Sequence, residues 1–141
     1  MIVVVDTNVL VSGLLSPHGA PARVLDLLTT GDLRLACDDR IAAEYRQVLA
    51  GPRFGFQPQT VTHLLDYLLA EGLPLVARPL PAVLPDPDDR PFLEVAAEAA
   101  APLITGNLGC THPQHFPAEA CAGVDVLAPA AFIERWRGRS A

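Results

Sequence analysis

Three carboxylates and one carboxamide stand at the ends or on the inner faces of predicted elements. Asp6 follows the apolar run 2–5, Glu44 lies within an amphipathic stretch, Asp89 precedes another, and Asn107 follows an apolar segment. Carboxylates held close together repel one another and are costly to keep ionised unless a cation lies among them. Oxygen ligands without a nearby His or Cys pair favour Mg²⁺ or Mn²⁺ over zinc, so the set predicts a site for one of those ions.

Hydrolysis of a phosphodiester bond is the chemistry that such a site supports, since the ion activates water and neutralises charge on the phosphate. The use of asparagine supports a functional interpretation. The chain contains two asparagines, Asn8 and Asn107, and both come just after a predicted strand.

Short apolar strands alternate with amphipathic helices along the chain, which is typical of an α/β domain with a mostly parallel sheet. Strands are predicted at 2–5, 33–36, 75–76, 103–105 and 124–127, and helices at 9–15, 21–28, 38–49, 60–70, 92–100 and 129–136. Strand ends and helix starts of such a sheet gather ligand-binding residues. We therefore expect the four candidate residues to meet in one cleft.

Length and composition predict a single globular domain over residues 1–141, because half of the 141 residues are apolar and 18% are charged. No apolar run approaches the ~20 residues that a membrane span needs, and the amino-terminal stretch lacks the pattern of a secretion signal. Cys37, Cys110 and Cys121 form an odd, widely spaced set, which predicts reduced thiols. We expect a cytoplasmic protein that does not bind membranes.

The net charge of −6 is unusual for a simple nucleic-acid binder, whose surface is normally basic. Acids gathered around a divalent cation contribute to that negative charge and yet attract phosphate once the ion is bound. The acidic balance therefore leaves a nucleic-acid substrate open.

The motifs, taken in order, resemble the PIN-domain family over nearly the whole chain. The matching stretches are IVVVDTNVL at 2–10, the helix that carries Glu44, DPDDRPFL at 86–93 and ITGN at 104–107. The closing VLAPAAF at 126–132 is similar to that of a bacterial subgroup of toxins from toxin–antitoxin pairs.

This resemblance implies a three-layer α/β/α fold with a central, mostly parallel sheet, and a ribonuclease that uses Mg²⁺ or Mn²⁺. Asp6, Glu44 and Asp89 match the first three acids of the family pattern, and Asn107 falls at the fourth place, where the family has Asp or Asn. It further suggests RNA as substrate, a small antitoxin as partner, and a homodimer.

Four further residues take assisting roles under the same resemblance. Asp86 and Asp88 are extra acids often seen in the subgroup, and Thr7 and Asn8 would support the site through hydrogen bonds. Two features depart from the family pattern: the fourth ligand is neutral, and the stretch 108–115 is longer than usual.

Simpler roles are open for each candidate. Asp6, Asp88 or Asp89 could have no role beyond capping a helix. Glu44 could be a solvated helix residue, and Asn107 could be a turn residue. A surface loop accounts better for His112 and His115 than a metal site does, because no third imidazole or thiolate has suitable spacing.

Two other functions compete with the nuclease. The first is a catalytically weak, PIN-like binding or regulatory module, which the neutral Asn107 and the acidic charge make credible. The second is phosphoryl transfer with Asp6 as nucleophile. Haloacid-dehalogenase-like phosphatases place a second Asp two residues on, where this chain has Asn8, and this counts against the second function.

Overall fold

The computed structural model describes residues 1–81, 84–106, 116, 121 and 123–140. Its strands are β1 (Ile2–Val5), β2 (Arg34–Cys37), β3 (Leu73–Pro74), β4 (Leu103–Ile104) and β5 (Val126–Leu127). Its α-helices are α1 (Thr7–Leu15), α2 (Ala20–Thr30), α3 (Asp39–Ala50), α4 (Pro58–Glu71), α5 (Arg90–Ala99) and α6 (Pro129–Ser140), and a single 3-10 turn at Pro87–Asp89 leads into α5.

The five strands form one sheet in the order β3-β2-β1-β4-β5, and every neighbouring pair is parallel. β1 lies at the centre, where Val3, Val4 and Val5 are completely buried because helices cover both faces of the sheet. The predicted three-layer α/β architecture with a mostly parallel sheet is confirmed.

Helix α3 is amphipathic and buries one face, whereas α5 buries the five consecutive residues 92–96. In α3 the buried residues Ile41, Tyr45 and Leu49 recur at helical spacing. Asp38 caps this helix, since its Oδ1 accepts the Ile41 N–H at 3.0 Å. Within the described ranges, none of the helices is long and apolar enough to cross a membrane.

The third strand differs from the prediction. A strand was predicted at 75–76, but β3 is formed by Leu73 and Pro74, which pair with Ala36 and Cys37. Val76 is instead 91% exposed. The strand begins directly after Gly72, where the end of α4 comes so close to β2 that pairing starts at once.

That close approach predicts opposite effects for two Gly→Ala substitutions. A Cβ atom at Gly72 would lie 2.5 Å from the Leu35 carbonyl oxygen and 2.9 Å from the Leu68 carbonyl oxygen, and both oxygens belong to the backbone. We expect Gly72→Ala to lower the free energy of unfolding by about 1–3 kcal/mol. Gly138 lies within α6 with open space around it, so Gly138→Ala should raise stability by up to about 1 kcal/mol. Urea denaturation of both variants measures this, and equal effects would contradict the proposed contact.

Candidate functional site

Asp6 lies at the carboxyl end of β1, beside the end of β4. The register pairs Val5 with Ile104, so Asp6 and Thr105 are neighbours just beyond the sheet. The Thr105 hydroxyl donates to Asp6 Oδ2 at 2.8 Å, and the two residues are 0% and 5% exposed, respectively. The Asp6 side chain makes no capping hydrogen bond to α1, so helix capping does not account for it.

Glu44 is brought to the same edge by the packing of α3. The hydroxyl of the fully buried Tyr45 donates to the Val5 carbonyl oxygen, which holds α3 against the end of β1. Glu44 is half-buried, and its Oε2 accepts a hydrogen bond from the hydroxyl of Thr7, the residue that directly follows Asp6. The alternative of a freely solvated Glu44 therefore does not hold.

Three acids lie on the 3-10 turn that leads into α5 or directly before that turn. Asp86 is half-buried and its Oδ1 accepts the Asp88 N–H at 2.9 Å. Asp88 is exposed, whereas Asp89 is only 6% exposed and makes no capping hydrogen bond to α5. Asp86 therefore caps the 3-10 turn, whereas Asp89 is the buried acid of the three.

Asn8 connects the first motif to the loop after β4. Its Oδ1 accepts the Gly106 N–H at 3.1 Å, which positions the backbone just before Asn107. Asn107 itself, the stretch 108–115, and the residues Cys110, His112 and His115 within it, lie outside the described residues.

The acids of this edge influence one another electrostatically. Burial raises the pKa of Asp6 to about 6; the Thr105 hydrogen bond opposes this rise, and the negative charges of Asp89 and Glu44 add to it. The pKa of Glu44 is also raised, first by burial and then by the charges of Asp88, Asp89 and Asp86, against the hydrogen bond from Thr7. Negative charge is therefore concentrated at the carboxyl edge of the sheet.

The donor chemistry of this edge fits a hard divalent cation, because its donors are carboxylate oxygens whose charge is unfavourable without a counter-ion. The geometry is less complete. Among the residues that the structure describes, no three His, Cys, Asp or Glu side chains converge closely enough to hold one ion. The predicted ligands Asp6, Glu44, Asp88 and Asp89 thus share an edge without forming an assembled coordination shell, and Asn107 falls outside this comparison.

A buried charge network that the sequence analysis missed lies behind the site. Glu94 is 4% exposed and accepts hydrogen bonds from Arg40 at 2.8 Å, from Arg90 at 3.3 Å and from the Leu80 N–H at 2.8 Å. Burial alone would raise the pKa of Glu94, but these hydrogen bonds and the Arg40 charge hold it below its ordinary value. The network joins α3, which carries Glu44, to α5, whose first residue directly follows Asp89.

Thr105 and Tyr45 were also missed as positioning residues. For Thr105 a signal existed in the sequence. It follows the apolar pair of β4 just as Asp6 follows β1, and residues that follow neighbouring parallel strands lie side by side. For Tyr45 and Glu94 no local signal existed, since a Tyr or Glu in an amphipathic helix shows nothing of its partner in the folded chain.

Comparison with known proteins identifies a family for this chain. A family profile described as PIN domain matches residues 2–109, a stretch that contains Asp6, Glu44, Asp89 and Asn107. The uncharacterized protein MJ1680 of Methanocaldococcus jannaschii is 31% identical over 108 residues, which cover 74% of this chain and 70% of that protein. No solved structure gives a significant match.

Proposed function

Because this chain belongs to the PIN-domain family, whose members are generally nucleases that use divalent metals, we propose that it is a ribonuclease that hydrolyses RNA phosphodiester bonds with Mg²⁺ or Mn²⁺. The observation that carries the proposal is the buried Asp6 carboxylate, whose pKa is raised to about 6 at an edge where four more acids are coupled. Such a concentration of negative charge is costly, and a divalent cation compensates it.

The buried carboxylates of Asp6 and Asp89 would hold the ion, with Glu44 as a direct or water-mediated ligand that also orients the nucleophile. Asn107, and Asp88 or Asp86, would complete the set. A bound ion supplies Lewis-acid activation of water and neutralises charge on the phosphate.

The hydroxyl groups of two threonines prepare these carboxylates. Thr105 holds Oδ2 of Asp6, and Thr7 holds Oε2 of Glu44, so that neither carboxylate rotates freely. Fixed orientation lowers the entropy that is lost when a ligand is bound.

Metal binding should depend on pH in a defined direction. The pKa of Asp6 is about 6, so Asp6 is protonated at pH 5 and a cation must displace that proton, whereas at pH 8 it is already ionised. We expect Mn²⁺ to raise the melting temperature at pH 8, by an amount equivalent to about 2.7 kcal/mol at a hundredfold excess over Kd. The increase should be clearly smaller at pH 5, and thermal unfolding with and without Mn²⁺ measures both values.

Cleavage of a mixed RNA pool in Mn²⁺, in Mg²⁺ and in EDTA tests the activity itself. Cleavage that requires metal supports the proposed nuclease, and sequencing of the product ends then maps its specificity. A folded chain that neither cleaves RNA nor binds Mn²⁺ would instead be the PIN-like binding module, which the net charge of −6 also allows.

We further propose that the nuclease is a toxin, a homodimer neutralised by a small antitoxin. This rests on the similarity of residues 126–132 to the toxin subgroup. Expression of the chain alone should arrest growth, and co-expression of a small DNA-binding protein from a neighbouring gene should relieve the arrest. Growth that is unaffected by an active nuclease would argue for a solitary enzyme.

A further inference from the structure

A cavity lies at the edge of the sheet opposite to Asp6. It has a volume of about 480 Å³, and its lining includes Met1, Pro102 and Asp125, which directly precede β1, β4 and β5, respectively. Since these strands are parallel, all three residues mark the amino ends of the strands. The volume lies in the range typical of small-molecule sites.

The walls of this cavity are built from one face of α6 and from small side chains at the end of α5. Phe132, Arg135, Trp136 and Arg139 follow helical spacing and all line it. Four alanines face them, at positions 96, 97, 100 and 101. Short side chains opposite a Phe–Trp pair, whose ring centroids are 6.4 Å apart, leave an apolar space with aromatic walls.

The two arginines of the cavity differ in their partners. Arg135 forms an ion pair with Asp125, and the two charges compensate each other. Arg139 donates instead to the sulfur of Met1 at 3.3 Å, a weak acceptor, and has no carboxylate partner among the described residues. The guanidinium therefore retains the capacity to bind an anion with two parallel hydrogen bonds.

We propose that this cavity binds a small amphipathic carboxylate, with its apolar part between the alanines and Trp136 and its carboxylate on Arg139. A guanidinium without a carboxylate partner in the described part of the chain balances one negative charge, so a monoanion suits the cavity. The site is independent of the nuclease site, since it lies at the other edge of the sheet.

The chain carries its own reporter for this test, because Trp136 is its single tryptophan. We would titrate the full chain with octanoate below its micellar range, and in parallel with octan-1-ol, and follow the emission of Trp136. We expect a saturable blue shift with octanoate, because the alkyl chain displaces water beside the indole ring. The half-saturation concentration for octan-1-ol should be about tenfold higher or more, since the alcohol lacks the charge.

Three variants separate specific binding from unspecific partition. Arg139→Gln should weaken octanoate binding about tenfold or more, whereas Arg137→Gln, an exposed position on α6 outside the cavity, should bind octanoate like the native chain. Ala97→Leu should abolish the shift by filling the space, with the circular dichroism spectrum unchanged. The proposal is overturned by a native chain that shows no saturable shift, or by equal binding of octanoate to the Arg139 and Arg137 variants. RNA cleavage plays no part in these readouts, so either proposal can fail alone.

Discussion

The Asp6→Asn variant is expected to be more stable than the native chain at pH 8 and to cleave RNA about a thousandfold more slowly. The stability effect follows from the pKa of Asp6, which is about 6 in the folded chain against an ordinary 3.8. A group with a raised pKa contributes stability below its ordinary pKa, and this contribution is lost as the pH rises through the folded value. Ionisation of Asp6 therefore lowers the free energy of unfolding by up to about 3 kcal/mol at pH 8.

Asparagine removes that cost without changing the shape of the side chain. Its carbonyl oxygen can still accept the Thr105 hydrogen bond, so we expect a gain of about 1–3 kcal/mol in the free energy of unfolding at pH 8. The gain should shrink by about half at pH 5, where the native carboxylate is mostly protonated. Urea denaturation at both pH values measures the difference.

Under the proposed mechanism cleavage should fall, because the variant would lose a charged ligand of the ion, whose contribution to charge stabilisation would be several kcal/mol. Asp26→Asn, an exposed change of the same kind on α2, serves as the control and should leave cleavage and stability unchanged. A less stable Asp6→Asn variant would contradict the cost of burial, and unchanged cleavage would contradict the assignment of Asp6 to the reaction. The expected gain in stability and the expected loss of cleavage would show that Asp6 lowers the stability of the fold while it serves the reaction.

Replacing Glu94 by alanine is expected to be the most destabilising change of a charged side chain near the site. Glu94 is 4% exposed and is the shared acceptor of Arg40, Arg90 and the Leu80 N–H. Removal of one partner from a buried pair typically costs 3–5 kcal/mol. The two arginine side chains are 47% and 39% exposed and return partly to water, so we expect a loss of about 2–3 kcal/mol.

The matched control is one helical turn away. Glu98 accepts hydrogen bonds from Arg78, whose side chain is 86% exposed, and Glu98→Ala should change stability far less. Glu94→Ala should also weaken the Mn²⁺-dependent rise in melting temperature, because Glu94 joins α3, which carries Glu44, to α5, which directly follows Asp89. Equal losses of stability in the two variants would show that the network does not stabilise the fold as described.

Most elements could be predicted from the sequence because their signals are local. The β-branched run before Asp6 predicts the central strand, and the spacing of Ile41, Tyr45 and Leu49, with Asp38 before them, predicts α3 and its cap. β3 could not be placed, because pairing at Leu73 depends on how closely Gly72 approaches Leu35, a contact between residues far apart in sequence.

The candidate site shows the same division. Sequence alone determined the place of Asp6, which follows the central strand directly, since the ends of parallel strands meet at one edge. Packing of the helices decided the places of the other acids. Tertiary structure decided their chemistry. The Thr105 bond to Asp6 joins residues 99 positions apart, and the raised pKa of Asp6 comes from burial and from charges on other elements. Periodicity encodes which face of an element is buried, but the partner of a polar group depends on register and packing between distant segments, which no local pattern contains.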